Sequence, residues 1–227
     1  MVIGHLSINN GVRMAITQPP DNRPMIIYLH GFNSSPMSEK AQMFAGFCAV
    51  KGVECIIPQL HHRPAEAIGH VRQMLDERAE DAKDTEDAAD TLLTVVGSSM
   101  GGYYAAYLCQ HYDNLRAVLI NPAVKLAAKL ADQVGQVQKN YHNGREYLFT
   151  REHLAEFAAM DVPKLDNPER CLLMVQTGDE VLDYREAVEY YKGAAQIVEE
   201  GGDHSFVGFA AHMPRIVAFH RRAETGV

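Results

Sequence analysis

No apolar run in this 227-residue sequence approaches the ~18 residues of a membrane-spanning helix, so no transmembrane segment is expected. Met1–Asn10 lacks a basic start followed by an apolar core, which argues against a secretory signal and for a cytoplasmic protein. Positive charge is scarce: 21 Lys and Arg stand against 29 Asp and Glu, a net charge of −8. A broad basic surface for nucleic acid is therefore not expected. Cysteine is confined to Cys48, Cys55, Cys109 and Cys171, with no C-x-x-C pair. Each sits in an apolar segment, so four reduced, mostly buried thiols are expected and a disulfide scaffold is not. H-E-x-x-H is absent and the ligand spacings are wrong for zinc, so no metal site is predicted.

What is present is ordinary globular composition, 47% hydrophobic and 22% charged, in a chain long enough to bury roughly 70% of its unfolded surface. Strand-length apolar runs lie at Met25–Leu29, Val53–Ile57, Leu92–Val96, Ala117–Ile120 and Leu172–Val175, with a weaker one at Gln196–Val198. Helical patterns fall between or after them at about 38–51, 64–80, 100–112, 183–192 and 205–222. Ser38 is placed to cap the first of these, and Asp183 with Glu186 resembles a capping box for the fourth. This alternation predicts an α/β fold, a mainly parallel sheet with helices on both faces. The stretch before residue 18 is expected to add an edge strand or two.

Two segments break the rhythm. Residues 76–90 carry eight acids against two bases, a local charge of −6, and read as a solvated helix end and surface loop. Residues 123–169 exceed a simple crossover. With helical pieces at 124–133 and 150–159 and exposed-looking Tyr141, Tyr147 and Phe149, they read as a small lid-like insertion in a single domain spanning 1–227.

The sharpest feature is Gly97-Ser98-Ser99-Met100-Gly101, a G-x-S-x-G motif that follows an apolar strand and opens a helix. A nucleophilic serine needs this arrangement. The tight turn lifts its hydroxyl above the sheet, and glycines two residues either side admit backbone where a Cβ would clash. Ser99 is the motif serine, because Ser98 would need glycines where Val96 and Met100 stand.

A serine hydroxyl needs a base, usually a histidine that is itself held by a carboxylate. With the chain order serine, acid, histidine, His204 fits: it lies in a glycine-rich loop just after the last strand. His5, His61, His62 and His70 precede the serine; His111, His142 and His153 precede the acids; His212 and His220 fall within the following helix. The acid belongs at the end of the preceding strand, where Asp179, Glu180 and Asp183 are offered. Asp179 is favoured as the residue directly at that end, and Asp183, which has a capping role, is the reserve.

Leu29-His30-Gly31-Phe32 follows the first apolar strand. This turn resembles the loop that supplies one oxyanion-hole amide in α/β-hydrolases, which assigns the two backbone donors to Phe32 and Met100. His30 is read as a buried residue that orders the loop, with no acid–base role. Gly31, Gly97 and Gly101 are read as supports of the two turns.

The resemblance extends to a small bacterial branch, the YqiA-like esterases of UPF0227 type. It is carried by Tyr28–Ser35, Gly97–Gly102, Asn121–Val124, Gln176–Arg185 and Glu199–Phe206, in order along nearly the whole chain. It implies an α/β-hydrolase fold and a cytoplasmic carboxylic-ester hydrolase for short acyl esters, with Ser99, Asp179 and His204 catalytic and no departure at those positions. The expected partner is a small acyl ester or thioester, with no cofactor. The alternatives are an acyl-CoA thioesterase with the same triad and a non-catalytic binding protein on a hydrolase scaffold.

Overall fold

The computed structural model describes residues 11–12, 25–82 and 93–221. Its strands are β1 (Gly11–Val12), β2 (Met25–Leu29), β3 (Glu54–Pro58), β4 (Leu93–Ser98), β5 (Leu115–Ile120), β6 (Val137–Lys139), β7 (Glu146–Leu148), β8 (Cys171–Gln176) and β9 (Ala195–Glu199). Its helices are α1 (Glu39–Val50), α2 (Pro64–Ala82), α3 (Met100–His111), α4 (Leu126–Lys129), α5 (Arg151–Ala158), α6 (Tyr184–Tyr190) and α7 (Phe209–His220).

The apolar runs become six parallel strands in the order β3-β2-β4-β5-β8-β9, and β1 adds an antiparallel edge on β3. Every residue of β2, β4, β5 and β8 is buried except half-buried Arg116, as continuous apolar strands covered on both faces must be. Side chains alternate between two cores. Ile27, Leu29, Val95 and Leu119 pack with α2 and α3, whereas Ile26, Tyr28, Val96 and Ile120 pack with α1 and α7. The terminal strand β9 is half exposed, in keeping with its weaker pattern.

Three expectations change. The last helix begins at Phe209, four residues later than its periodicity suggested, because Phe206 (φ 65°) and Gly208 (φ 75°) hold the preceding chain in left-handed turns. The insertion contains a two-stranded antiparallel ribbon, β6–β7, besides its short helices. Phe149, expected to be exposed, is fully buried, while Tyr147 is half-buried and Tyr141 exposed. Phe149 and Phe157 join the same apolar cluster as β2, β4 and α3, and burying each contributes about 1.5–3 kcal/mol. In the acidic stretch, Asp76, Glu77 and Glu80 lie exposed on α2; residues 83–90 fall outside the described ones. All four cysteines are free.

The chain leaves β2 to one side, toward β3, and returns to place β4 on the other side. The carboxyl ends of β2 and β4 therefore flank a topological switch point, where the following loops diverge and open a crevice. Those loops are the ones that carry Phe32 and Ser99.

Candidate active site

Ser99 sits between β4 and α3 with φ 58° and ψ −118°, a left-handed conformation that a non-glycine residue adopts only at a cost of order 1–3 kcal/mol. The surroundings hold it there. Its N–H donates to Ile120 O, and its carbonyl accepts from the amides of Gly102, Tyr103 and Ala123. The flanking glycines are steric requirements. A Cβ on Gly97 would lie 2.0 Å from Gly101 O, and one on Gly101 would lie 2.0 Å from Leu29 O. A Cβ on Gly31 would meet Ser99 Cβ at 3.5 Å, an ordinary contact, so that glycine keeps space open beside the serine without being sterically forced.

His204 Nε2 lies 3.0 Å from Ser99 Oγ, and His204 Nδ1 lies 2.8 Å and 2.9 Å from the two Asp179 carboxylate oxygens. With Nδ1–H donating to Asp179, Nε2 is left to accept the serine proton. The Asp179 side chain is 2% exposed, and it also accepts the Val181 and Leu182 N–H groups, each at 2.9 Å. Burial alone would raise its pKa, but the His204 hydrogen bond and the two amides outweigh it and hold the carboxyl below its ordinary value.

The two other acids are engaged differently. Glu180 accepts the His204 backbone N–H at 3.0 Å. Asp183 caps α6 by accepting from Arg185 N at 3.0 Å. The structure thus brings Ser99, His204 and Asp179 into one hydrogen-bonded chain and leaves Asp183 out of it.

Met100 is the first residue of α3, so its N–H lacks an intrahelical acceptor. Neither that N–H nor the Phe32 N–H donates to a protein group among the described residues. Both residues line a pocket of about 210 Å³ beside the serine. His30 is locked behind it. Its Nδ1–H donates to Gly31 O at 3.0 Å, and its Nε2 accepts from Leu60 N at 3.2 Å. Burial lowers its pKa to about 4, so the ring is neutral and joins the β2 and β3 loops.

Four positioning residues were not singled out from the sequence. Asn121 Nδ2 donates to the carbonyls of Asp203 and His204 at 3.0 and 3.2 Å, while its Oδ1 accepts Gln176 N at 3.0 Å. Gln176 accepts Asp203 N at 3.2 Å and donates to Val207 O at 2.8 Å, so β8 fixes the histidine loop from below. Asn33 (φ 55°) accepts from Tyr147 Oη at 2.8 Å and donates to Gln138 at 3.1 Å, joining the Phe32 loop to the ribbon. Lys40 donates to Ser98 Oγ at 2.9 Å. Burial pushes its pKa down to about 8 against the opposing pull of Asp203 and Asp179. The asparagine and glutamine contacts join segments far apart in sequence, so no local pattern marks them.

A parallel sheet of this order, with a serine on a strained strand-to-helix turn at its switch point, defines an α/β-hydrolase fold. The chain belongs to the uncharacterised protein family UPF0227, whose family model matches residues 25–221. A UPF0227 protein of Shewanella sp. (strain ANA-3) is 26% identical over 197 residues, covering 86% of this chain and 98% of that relative. Among solved structures, Est1E of Butyrivibrio proteoclasticus with ferulic acid bound superposes with a TM-score of 0.66 at 14% identity, covering 93% of this chain and 92% of that one. Mouse alpha/beta hydrolase domain-containing protein 10 gives a TM-score of 0.66 at 14% identity, covering 92% and 98%. The resemblance carried by the motif segments holds for the family and for the fold. Among the described residues, no helix is long and apolar enough to cross a membrane.

Proposed function

We propose that this protein is a serine hydrolase that cleaves short-chain carboxylic esters through an acyl-enzyme. The main support is the chain Asp179–His204–Ser99, with contacts of 2.8 and 3.0 Å, at a strained turn whose next residue, Met100, lines a pocket. Ser99 Oγ attacks the ester carbonyl while His204 Nε2 takes its proton. Asp179 keeps the imidazole in the tautomer this step requires and stabilises the imidazolium. The developing oxyanion accepts from the Phe32 and Met100 N–H groups, and one such donor is commonly worth ~3–4 kcal/mol in the transition state. The tetrahedral adduct collapses, the C–O bond breaks, and His204 returns the proton to the departing alcohol. His204 then deprotonates a water that releases the acid and regenerates Ser99.

A short acyl group suits a pocket of about 210 Å³, below the ~300–1,000 Å³ of sites for drug-sized ligands. The insertion acts as a roof anchored in the core by Phe149 and Phe157 rather than as a free lid. The esterase domain of a Rhodothermus marinus protein shares the fold and so makes ester chemistry a natural first test.

The test is hydrolysis of p-nitrophenyl esters and acyl-CoAs of increasing chain length, beside Ser99→Ala. Turnover of short esters that Ser99→Ala abolishes supports the proposal. Turnover of acyl-CoA with little on simple esters assigns a thioesterase with the same machinery. Equal rates in the variant and the parent overturn both.

A further inference from the structure

The pocket beside Ser99 is unusual in its charge. Although the chain carries a net charge of −8, no Asp or Glu lines this pocket among the described residues, and its one permanent cation is Arg145. The Arg145 guanidinium makes no ion pair or hydrogen bond among the described residues; only the backbone around it is engaged, by Asn140 and Asn143. Arg63 nearby is committed instead, bound by Glu152 and Glu156.

A second donor stands beside it. Thr150 N–H donates to His153 Nδ1 at 3.1 Å, so the His153 proton sits on Nε2, which lies 3.0 Å from His62 Nδ1. His62 Nδ1 therefore accepts, and neutral His62 carries its own proton on Nε2. That N–H has no partner among the described residues, on a residue that lines the pocket. Burial together with the neighbouring imidazoles and the Arg145 charge lowers the His62 pKa to about 4, so it stays a neutral donor at working pH.

The pocket also has a defined place in the reaction. His204 must face the leaving oxygen to protonate it. Neither His204 nor Ser99 is among the lining residues, whereas both oxyanion donors, Phe32 and Met100, are, so the pocket lies on the far side of those donors from the histidine. Of the substituents on the tetrahedral carbon, the acyl chain is the one left to enter this space.

We infer that the acyl group carries a terminal anion, a carboxylate bound by the Arg145 guanidinium and the His62 Nε2–H, so that the preferred substrates are monoesters of short dicarboxylic acids. This rests on the ester-hydrolase reading and adds the substrate class to it. A planar guanidinium fork suits a carboxylate, and a pocket without competing carboxylates spares that anion like-charge repulsion.

The test compares kcat/KM for p-nitrophenyl hydrogen glutarate with that for its neutral shape analogue, in which an isopropyl group replaces the carboxylate. Rates are corrected for the background measured with Ser99→Ala. Arg145 lies on an exposed turn, so its substitution spares the core. The parent protein should prefer the charged ester by about tenfold or more. Arg145→Gln should lower that ratio at least tenfold, and Arg145→Lys should retain part of it. A ratio near one in the parent, or a preference that survives Arg145→Gln, overturns the inference and leaves the esterase reading standing. No turnover of either ester, with no phosphonate adduct on Ser99, overturns the esterase reading and the inference with it.

Discussion

The Tyr147 hydroxyl donates to Asn33 Oδ1 at 2.8 Å, a contact between residues 114 apart that ties the insertion ribbon to the loop holding Phe32. Asn140 Nδ2 to Ser34 O at 2.7 Å and Tyr141 N to Asn33 O at 2.8 Å add two more ties. The ribbon is thus built into the wall of the site. Removing the hydroxyl in Tyr147→Phe should loosen the loop while keeping the ring stacked on His62, whose centroid lies 4.4 Å away. The expected outcome is a severalfold fall in kcat with a stability loss of only ~0.5–1.5 kcal/mol, measured by ester kinetics beside urea unfolding.

The identity of the acid is decided by two matched substitutions. Asp179→Asn removes the carboxylate that orients His204 Nδ1 and should lower kcat by roughly 10⁴. Asp183→Asn keeps a competent cap on α6, since Asn and Asp are nearly equivalent there, and should leave both kcat and Tm close to the parent's. The reverse pattern of kcat values would move the role to Asp183.

Gly101→Ala places a methyl 2.0 Å from Leu29 O, where the helix start presses on the end of β2. The contacting atoms are all backbone, of Leu29 and His30, so relief requires the Ser99 turn and the Phe32 loop to part. Loss of activity is expected with a destabilisation of ~1–3 kcal/mol or more. Recovery of a fully active, equally stable Gly101→Ala protein would show that the turn is less tightly built than described.

Acid should weaken the fold in a defined window. The His30 pKa is about 4 when folded against 6.5 for the free side chain. Below 6.5 the unfolded chain gains a proton that the native one refuses, so this contribution is present in full above pH 6.5 and lost as pH falls toward 4. The shift corresponds to roughly 3 kcal/mol. The depressed Asp179 carboxyl acts lower, its contribution being lost only as pH falls below its ordinary value of 3.8. Urea unfolding between pH 7 and 4 should therefore show a falling free energy. His30→Gln, which can still accept the Leu60 N–H, should flatten that slope relative to the parent.

The parallel sheet was legible because β2, β4, β5 and β8 each hold a run of four or five mostly apolar residues with turn residues close to its ends. Chain order left His204, His212 and His220, and the glycine-rich loop after the last strand singled out His204, while the position of Asp179 at the end of β8 favoured it over Asp183. The ribbon was not legible: Val137–Lys139 and Glu146–Leu148 are three-residue strands, half exposed, with no apolar alternation long enough to register. Phe149 reads as exposed among polar neighbours and is buried only because the whole insertion folds onto α3. Asn33, Asn121 and Gln176 matter through contacts between loops of different strands, which exist only once the sheet is assembled. The late start of α7 has the same origin, since Phe206 adopts its left-handed turn within the loop that Asn121 and Gln176 hold in place.

Reaction of the intact protein with a fluorophosphonate probe, followed by mass spectrometry of its peptides, tests the central claim that Ser99 is an activated nucleophile. A single adduct is predicted on Ser99, absent in Ser99→Ala and formed orders of magnitude more slowly in His204→Ala. An unlabelled Ser99 in the folded parent, or labelling as fast in His204→Ala, would contradict it.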